Sequence, residues 1–288
     1  MRVTDSMMRD GALRGLNNNA MGLYALQEQL SSGKALNRPS DDPALVRQAM
    51  KIRDTLSELK QFSRNINAAN QTVSAADGAL GGATQLLQRA NELALQGANG
   101  SYSPSDRQAM ALEVEQLAGQ LVQLAGTRVA DTYIFAGFQT DTPPYATPTG
   151  AYQGDAGAIQ ARIAPGASVQ INLIGSAVFG PALDALEQLR AELAAGTPVT
   201  PGAIAAISAG QDALLSARAS VGALQNRIDG TSDIVGQATD AAEKLLSLTA
   251  DVDMAAAISE YSERQLTYNA ALKINGQILQ TSLLDYLR

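Results

Sequence analysis

Residues 45–94 read LVRQAMKIRDTLSELKQFSRNINAANQTVSAADGALGGATQLLQRANELA, and the spacing within them decides the fold. Every seventh residue is apolar: Leu45, Ile52, Leu59, Ile66, Val73, Leu80, Leu87 and Ala94. Interleaved from Phe62 stand Ala69, Ala76, Ala83 and Ala90, completing a seam of alternating large and small side chains. Seven residues are close to two helical turns, so the spacing predicts one helix from about Pro43 to about Gln96. Its roughly 50 residues span about 75 Å at the helical rise. Pro43 suits a first turn, where a missing N–H costs nothing, and Asp41 and Asp42 lie near the positive end of the helix dipole. Gly78, Gly81 and Gly82 weaken the middle by up to about 1 kcal/mol each and leave room for a kink or a close crossing.

Outward from this helix, Asn99-Gly100-Ser101 breaks it and a second begins near Pro104, with Met110, Val114, Leu117, Leu121 and Leu124 on one face. Thr132-Tyr133-Ile134-Phe135 reads as a short strand closed by Gly137. Residues 139–205 differ from all before them. Prolines and glycines punctuate the stretch, and between Gln139 and Ala182 only Asp141, Asp155 and Arg162 are charged. Ile159, Ala161 and Ile163, then Val169, Ile171 and Leu173, alternate on either side of Pro165-Gly166, which predicts a β-hairpin. A short helix follows near Leu183–Leu193.

From about Ala209 to Leu287 helical spacing returns. Leu214, Val221, Ile228, Val235 and Ala242 hold one heptad position; Ala217, Leu224, Ala238, Leu245 and Val252 hold another. Beyond about Ile258 the register loosens, although Leu266, Leu272, Ile278, Leu279, Leu283 and Leu284 continue the apolar content. Leu13, Leu16, Ala20, Leu23, Leu26 and Leu30 form a comparable row at the other end. The expected fold is mainly α with a β-rich insertion. N- and C-terminal helices form a long antiparallel coiled-coil rod, the seam of 45–94 pairing with Leu214–Val252, around a central, mostly β outer domain. The divisions are 1–42, 43–138, 139–205, 206–257 and 258–288.

Composition narrows the chemistry. The chain has no His and no Cys, which excludes His/Cys zinc sites, thiol nucleophiles, Ser-His-Asp triads and disulfides. It contains neither a D-x-D-x-D-G loop nor a G-x-x-x-x-G-K-[ST] loop. No catalytic, cofactor or metal site is expected. Net charge is −7, unsuited to the counterion release of nucleic-acid binding. Residues 1–60 carry nine Lys and Arg against seven Asp and Glu, read as solvated helix faces. Charges at Arg2, Asp5, Arg9, Asp10 and Arg14 do not fit a secretory signal, and no run of eighteen apolar residues suggests a membrane span.

Ser31-Ser32-Gly33-Lys34, then Ser40-Asp41-Asp42-Pro43-Ala44, resemble the N-terminal region of the flagellin superfamily. Asn269-Ala270-Ala271-Leu272 and Leu283-Leu284 are similar to its C-terminal end. The resemblance covers roughly residues 1–138 and 205–288. Within the superfamily, Pro39-Ser40-Asp41-Asp42-Pro43, Tyr133-Ile134-Phe135-Ala136-Gly137 and Thr140-Asp141-Thr142-Pro143-Pro144-Tyr145 look more like the hook–filament junction proteins than the flagellins.

The resemblance implies an extracellular structural protein of the flagellum, exported unfolded through its central channel without a cleaved signal. The implied partners are copies of itself in a ring or tube, hook-associated protein 1 on the hook side, flagellin on the filament side and an export chaperone. Neither nucleic acid nor membrane is among them. Assembly contacts are expected at Leu13, Leu16, Leu23, Leu26, Leu30, Leu266, Leu272, Ile278, Leu279, Leu283 and Leu284. Asp41 and Asp42, expected to cap the long helix, also sit where the family's neighbouring subunits meet. Two alternatives stay open: a filament subunit, and a secreted adaptor with a coiled-coil stalk whose terminal rows are ordinary core. An enzyme fits worst, since 139–182 offers only Asp141 and Asp155 as acids.

Overall fold

The heptad stretch lies in one unbroken helix, α2 (Pro43–Ala98), of 56 residues. The computed structural model describes the backbone of residues 5–286 and the side chains of Met7 and of 10–276. Before α2 comes α1 (Asp5–Ser32); after it α3 (Pro104–Ala125), β1 (Arg128–Val129) and β2 (Thr132–Tyr133). The insertion holds β3 (Gln160–Ala164), β4 (Ala167–Gln170) and α4 (Gly175–Ala194). Helices α5 (Pro201–Ala250) and α6 (Met254–Tyr286) complete the chain, which is mainly α with a small β-rich insertion. Contacts divide it into two units, 58–238 and 1–57 with 239–288.

In the unit 58–238 the seam of α2 is the core. Ile66, Val73, Leu80, Leu87 and Ala94 are buried, as are Phe62, Ala69, Ala76, Ala83 and Ala90. Its antiparallel partner is α5, whose Leu214, Val221, Ile228 and Val235 are buried. Three polar pairs run along this contact in opposite directions: Asn70 with Asp229 at 3.5 Å, Ser74 with Gln225 at 3.4 Å, and Asp77 with Arg218 at 2.9 Å.

Helix α3 returns along α2, linked by Arg89 to Glu113 at 2.7 Å. It starts with a capping box in which the Asp106 N–H donates to Ser103 Oγ (3.2 Å) and the Ser103 N–H to the Asp106 carboxylate (3.0 Å). One turn in, Arg107 is only 5% exposed. Its guanidinium donates to the carbonyls of Gly97 (3.0 Å), Asn99 (3.0 Å) and Gly196 (3.3 Å). A cation thus closes the C-terminal ends of α2 and α4, where the helix dipoles are negative.

The β content is smaller than the spacing suggested. Pro165-Gly166 does make the turn, with Gly166 at φ +70° and Ala161 opposite Val169. The expected strand 132–135 stops at Tyr133 because the next three residues turn inward. Ile134, Phe135 and Ala136 are buried, and Phe135 meets Phe179 edge to face at 4.9 Å. The Phe135 carbonyl accepts from Gly175 N–H (2.9 Å) and Tyr152 O–H (2.8 Å), leaving nothing for a strand partner. The helix expected near 183–193 starts earlier, at Gly175, because Gly180 and Pro181 are tolerated within its first turns.

Gly137 closes this buried segment at φ +70°, and a Cβ there would lie 2.4 Å from the Asp155 carbonyl oxygen. Gly137→Ala should therefore lower stability by more than the roughly 1–3 kcal/mol of the backbone strain alone. A urea titration at constant slope measures this; a midpoint equal to wild type would contradict the packing.

In the other unit α1 and α6 pack antiparallel, with Asn275 Nδ2 3.5 Å from the Ala12 carbonyl and Arg264 against Gly22. The C-terminal helical region read from the sequence is two helices, α5 and α6, parting a few residues before the expected division at 257/258. Asp251-Val252-Asp253 interrupts it, and the Asp253 carboxylate caps α6 by accepting from Ala255 (3.0 Å) and Ala256 (3.1 Å) N–H.

Candidate assembly interface

Helix α1 carries apolar residues on two sides. At 100° per residue, Leu16, Leu23, Leu26 and Leu30 share one side. Leu26 is 7% exposed and the other three are half-buried, so this side is the one packed within the chain. Leu13 belongs with Met21 and Tyr24 on the opposite side, and all three are exposed, Leu13 at 51%.

The sequence reading joined Leu13 to the inner row and missed Met21 and Tyr24. The usable signal was the spacing of Leu13 and Tyr24, eleven residues or about three helical turns apart, with Met21 one turn before Tyr24.

Helix α6 has its apolar residues spread round the helix rather than along one row, interspersed with exposed Glu260, Glu263, Arg264 and Lys273. Leu266 is 75% exposed, and Met254, Ile258, Leu272 and Ile274 are also exposed. Large apolar side chains left exposed in such number on one helix favour a covering partner. Ile278, Leu279, Leu283 and Leu284 lie beyond the described side chains.

The loop between α1 and α2 brings charge to the end of the outer side of α1. The Asp42 carboxylate caps α2, accepting from Ala44 (2.8 Å) and Leu45 (3.0 Å) N–H. Asp41 is exposed and holds the loop by accepting from Arg38 (2.8 Å) and Asn37 (3.1 Å) N–H. Arg38 reaches back to Glu28 at 2.9 Å. Between them lies an open hollow of about 280 Å³ lined by Met21, Tyr24, Glu28, Arg38 and Asp41, among others. The structure therefore brings Asp41 together with the outer side of α1, where an apolar floor has a charged rim.

Among the described residues no group of three or more acidic side chains is placed to hold a metal ion, and no helix is long and apolar enough to cross a membrane.

Known proteins are similar to this chain in sequence and fold. The bacterial flagellin N-terminal helical region matches residues 3–140, and the flagellin C-terminal helical region matches 203–287. Flagellar hook-associated protein 3 of Escherichia coli (strain K12) is 32% identical over 180 residues, covering 62% of this chain. The chain spans 57% of that relative's length. The flagellar filament 33 kDa core protein of Treponema phagedenis is 29% identical over 300 residues, covering the whole of both. The crystal structure of flagellar hook associated protein-3 from Legionella pneumophila aligns with a TM-score of 0.63 at 16% identity, covering 69% of this chain and 98% of that one. At that identity the likeness is one of fold. Both matched helical regions include the helices whose apolar sides stay uncovered, and together they take in most of the sequence: the chain belongs to the flagellin superfamily.

Proposed function

We propose that this protein is the structural junction between the flagellar hook and the filament, the part played by hook-associated protein 3. The observation that carries the reading is the apolar surface left on α1 and α6 after they have paired with each other. In a single chain that surface is an unfavourable exposure; in a ring or tube of copies it becomes the contact. Residues 1–42 and 258–288 are then the assembly segments, 43–138 and 206–257 the two halves of the helical part, and 139–205 the outer domain. Leu13, Leu266, Leu272, Ile278, Leu279, Leu283 and Leu284 take part in packing among copies; Leu16, Leu23, Leu26 and Leu30, also expected there, instead hold α1 within its own chain, and Asp41 and Asp42 shape the adjoining loop.

Hook-associated protein 1 lies on the hook side, flagellin on the filament side, and an export chaperone covers the terminal segments before assembly. The protein leaves the cell unfolded and acts outside it.

The end-to-end match to a Treponema filament core protein favours a second reading, the filament subunit. Immunogold microscopy of intact flagella with antibody against residues 139–205 separates the two. A single band at the hook–filament boundary is expected. Label along the filament makes the protein a filament subunit, and unlabelled flagella overturn both.

A further inference from the structure

Within the unit of residues 1–57 and 239–288, the break after α1 and the break after α5 lie side by side. Gly33, at φ +70°, turns the chain out of α1. The Ala35 N–H then donates to the Ala250 carbonyl at 2.8 Å, and the Val252 N–H to the Gly33 carbonyl at 3.1 Å. This is one rung of antiparallel β pairing, with Lys34 opposite Asp251 across 217 positions of sequence. The Lys34 ammonium pairs with the Asp251 carboxylate. That ammonium and Ser247 hold the carboxyl below its ordinary range.

The surroundings brace the rung. Gln29 Nε2 donates to the Ala35 carbonyl (3.1 Å), Asn37 Nδ2 to the Lys34 carbonyl (3.2 Å), and the Lys34 N–H to Ser32 Oγ (3.1 Å). Across from them the Asp251 N–H donates to the Ser247 carbonyl (2.9 Å).

The α1–α6 contact itself does little to fix which residue meets which. Polar and apolar residues are interspersed round α6 without one continuous apolar seam, and the polar tie between Asn275 and the Ala12 carbonyl is long at 3.5 Å. We propose that the Lys34–Asp251 rung is a register lock for the two terminal helices. It places the end of α1 against the start of α6, so that pairing them becomes the closing of a short turn instead of the meeting of two distant segments. Both helices then face a neighbouring copy as one fixed surface, a consequence that rests on the assembly reading above. An exposed ion pair adds little stability on its own, but a pairing slipped by one residue sets Lys34 opposite Ala250 or Val252 and loses the ion pair together with both backbone bonds.

The chain has no cysteine, so an introduced pair reports cleanly. In purified full-length protein, oxidation of Ala12→Cys with Asn275→Cys reads the native register. Ala12→Cys with Ala271→Cys reads a register one turn away. The native pair should exceed the shifted pair roughly tenfold, and Lys34→Glu should reduce that ratio roughly fivefold, with the swap Lys34→Glu/Asp251→Lys restoring it. Ala35→Pro, which removes the backbone donor, should reduce it as Lys34→Glu does. A ratio unmoved by both Lys34→Glu and Ala35→Pro, or one near unity in the parent protein, overturns the lock. The measurement is made inside a single chain. A locked register in a protein absent from flagella would therefore refute the junction alone, and a junction band with an unlocked register would refute the lock alone.

Discussion

With aspartate at Leu266 the isolated protein melts as wild type does, while its incorporation into flagella falls at least about a hundredfold. The first half follows from exposure: at 75% exposed, Leu266 contributes almost nothing to the stability of a single chain. The second follows from what assembly would do to the new carboxylate. A charge buried without a partner costs several kcal/mol, and about 1.4 kcal/mol is a factor of ten in binding. Leu266→Ala, which removes contact area without adding charge, should weaken incorporation much less. The measurement is the amount of each variant in sheared flagella against the amount released to the medium. Normal incorporation of Leu266→Asp would remove α6 from the interface, and failure of the variant to leave the cell would assign Leu266 to export.

Arg107→Met should lower the stability of the unit 58–238 by about 3–5 kcal/mol, the loss of three charge-assisted hydrogen bonds at roughly 1.5–3 kcal/mol each, offset in part by the removal of a buried charge. Methionine replaces much of the aliphatic stem but none of the donors. The Gly196 carbonyl loses its bond at a site water does not reach freely, while those of Gly97 and Asn99 keep only the Val199 (3.3 Å) and Tyr102 (3.4 Å) N–H groups. Arg107→Lys should recover only part of the loss, because one ammonium does not span three carbonyls held at different angles by a planar guanidinium. Urea midpoints at unchanged slope check both values. A loss under about 1 kcal/mol for Arg107→Met would mean that solvent or a shifted loop satisfies the carbonyls.

The long helices were legible because their apolar spacing coincides with their burial. From Ile52 onward the whole seam of α2 is buried, and only its first member, Leu45, is exposed, at 39%. Pro165-Gly166 and the Asp42 cap were legible for a related reason, since turn and cap chemistry is local. The break between α5 and α6 was not. Asp251-Val252-Asp253 has neither glycine nor proline, and its meaning comes from Gly33–Ala35, more than two hundred residues away. The early start of α4 was hidden by Gly180 and Pro181, which argue locally for an interruption that packing overrides.

At the candidate interface the sequence singled out α1 and α6, but it did not separate the two sides of α1. An apolar row reads alike whether it is covered by its own chain or left open. Leu26 and Leu13 differ only in what lies beside them.

The contact between α2 and α5 has a consequence for how such proteins change in size. Its seam is nearly self-similar from Ile66 to Ala90, large and small residues returning every seven positions. Removing one seven-residue block from each helix would restore the same neighbours about 10 Å further along. Length is therefore adjustable in whole increments without redesign of the interior, provided Asn70–Asp229, Ser74–Gln225 and Asp77–Arg218 move with their blocks. Deletions of any other size would turn the seam away from its partner, so lineages with longer or shorter helices should differ here by multiples of seven.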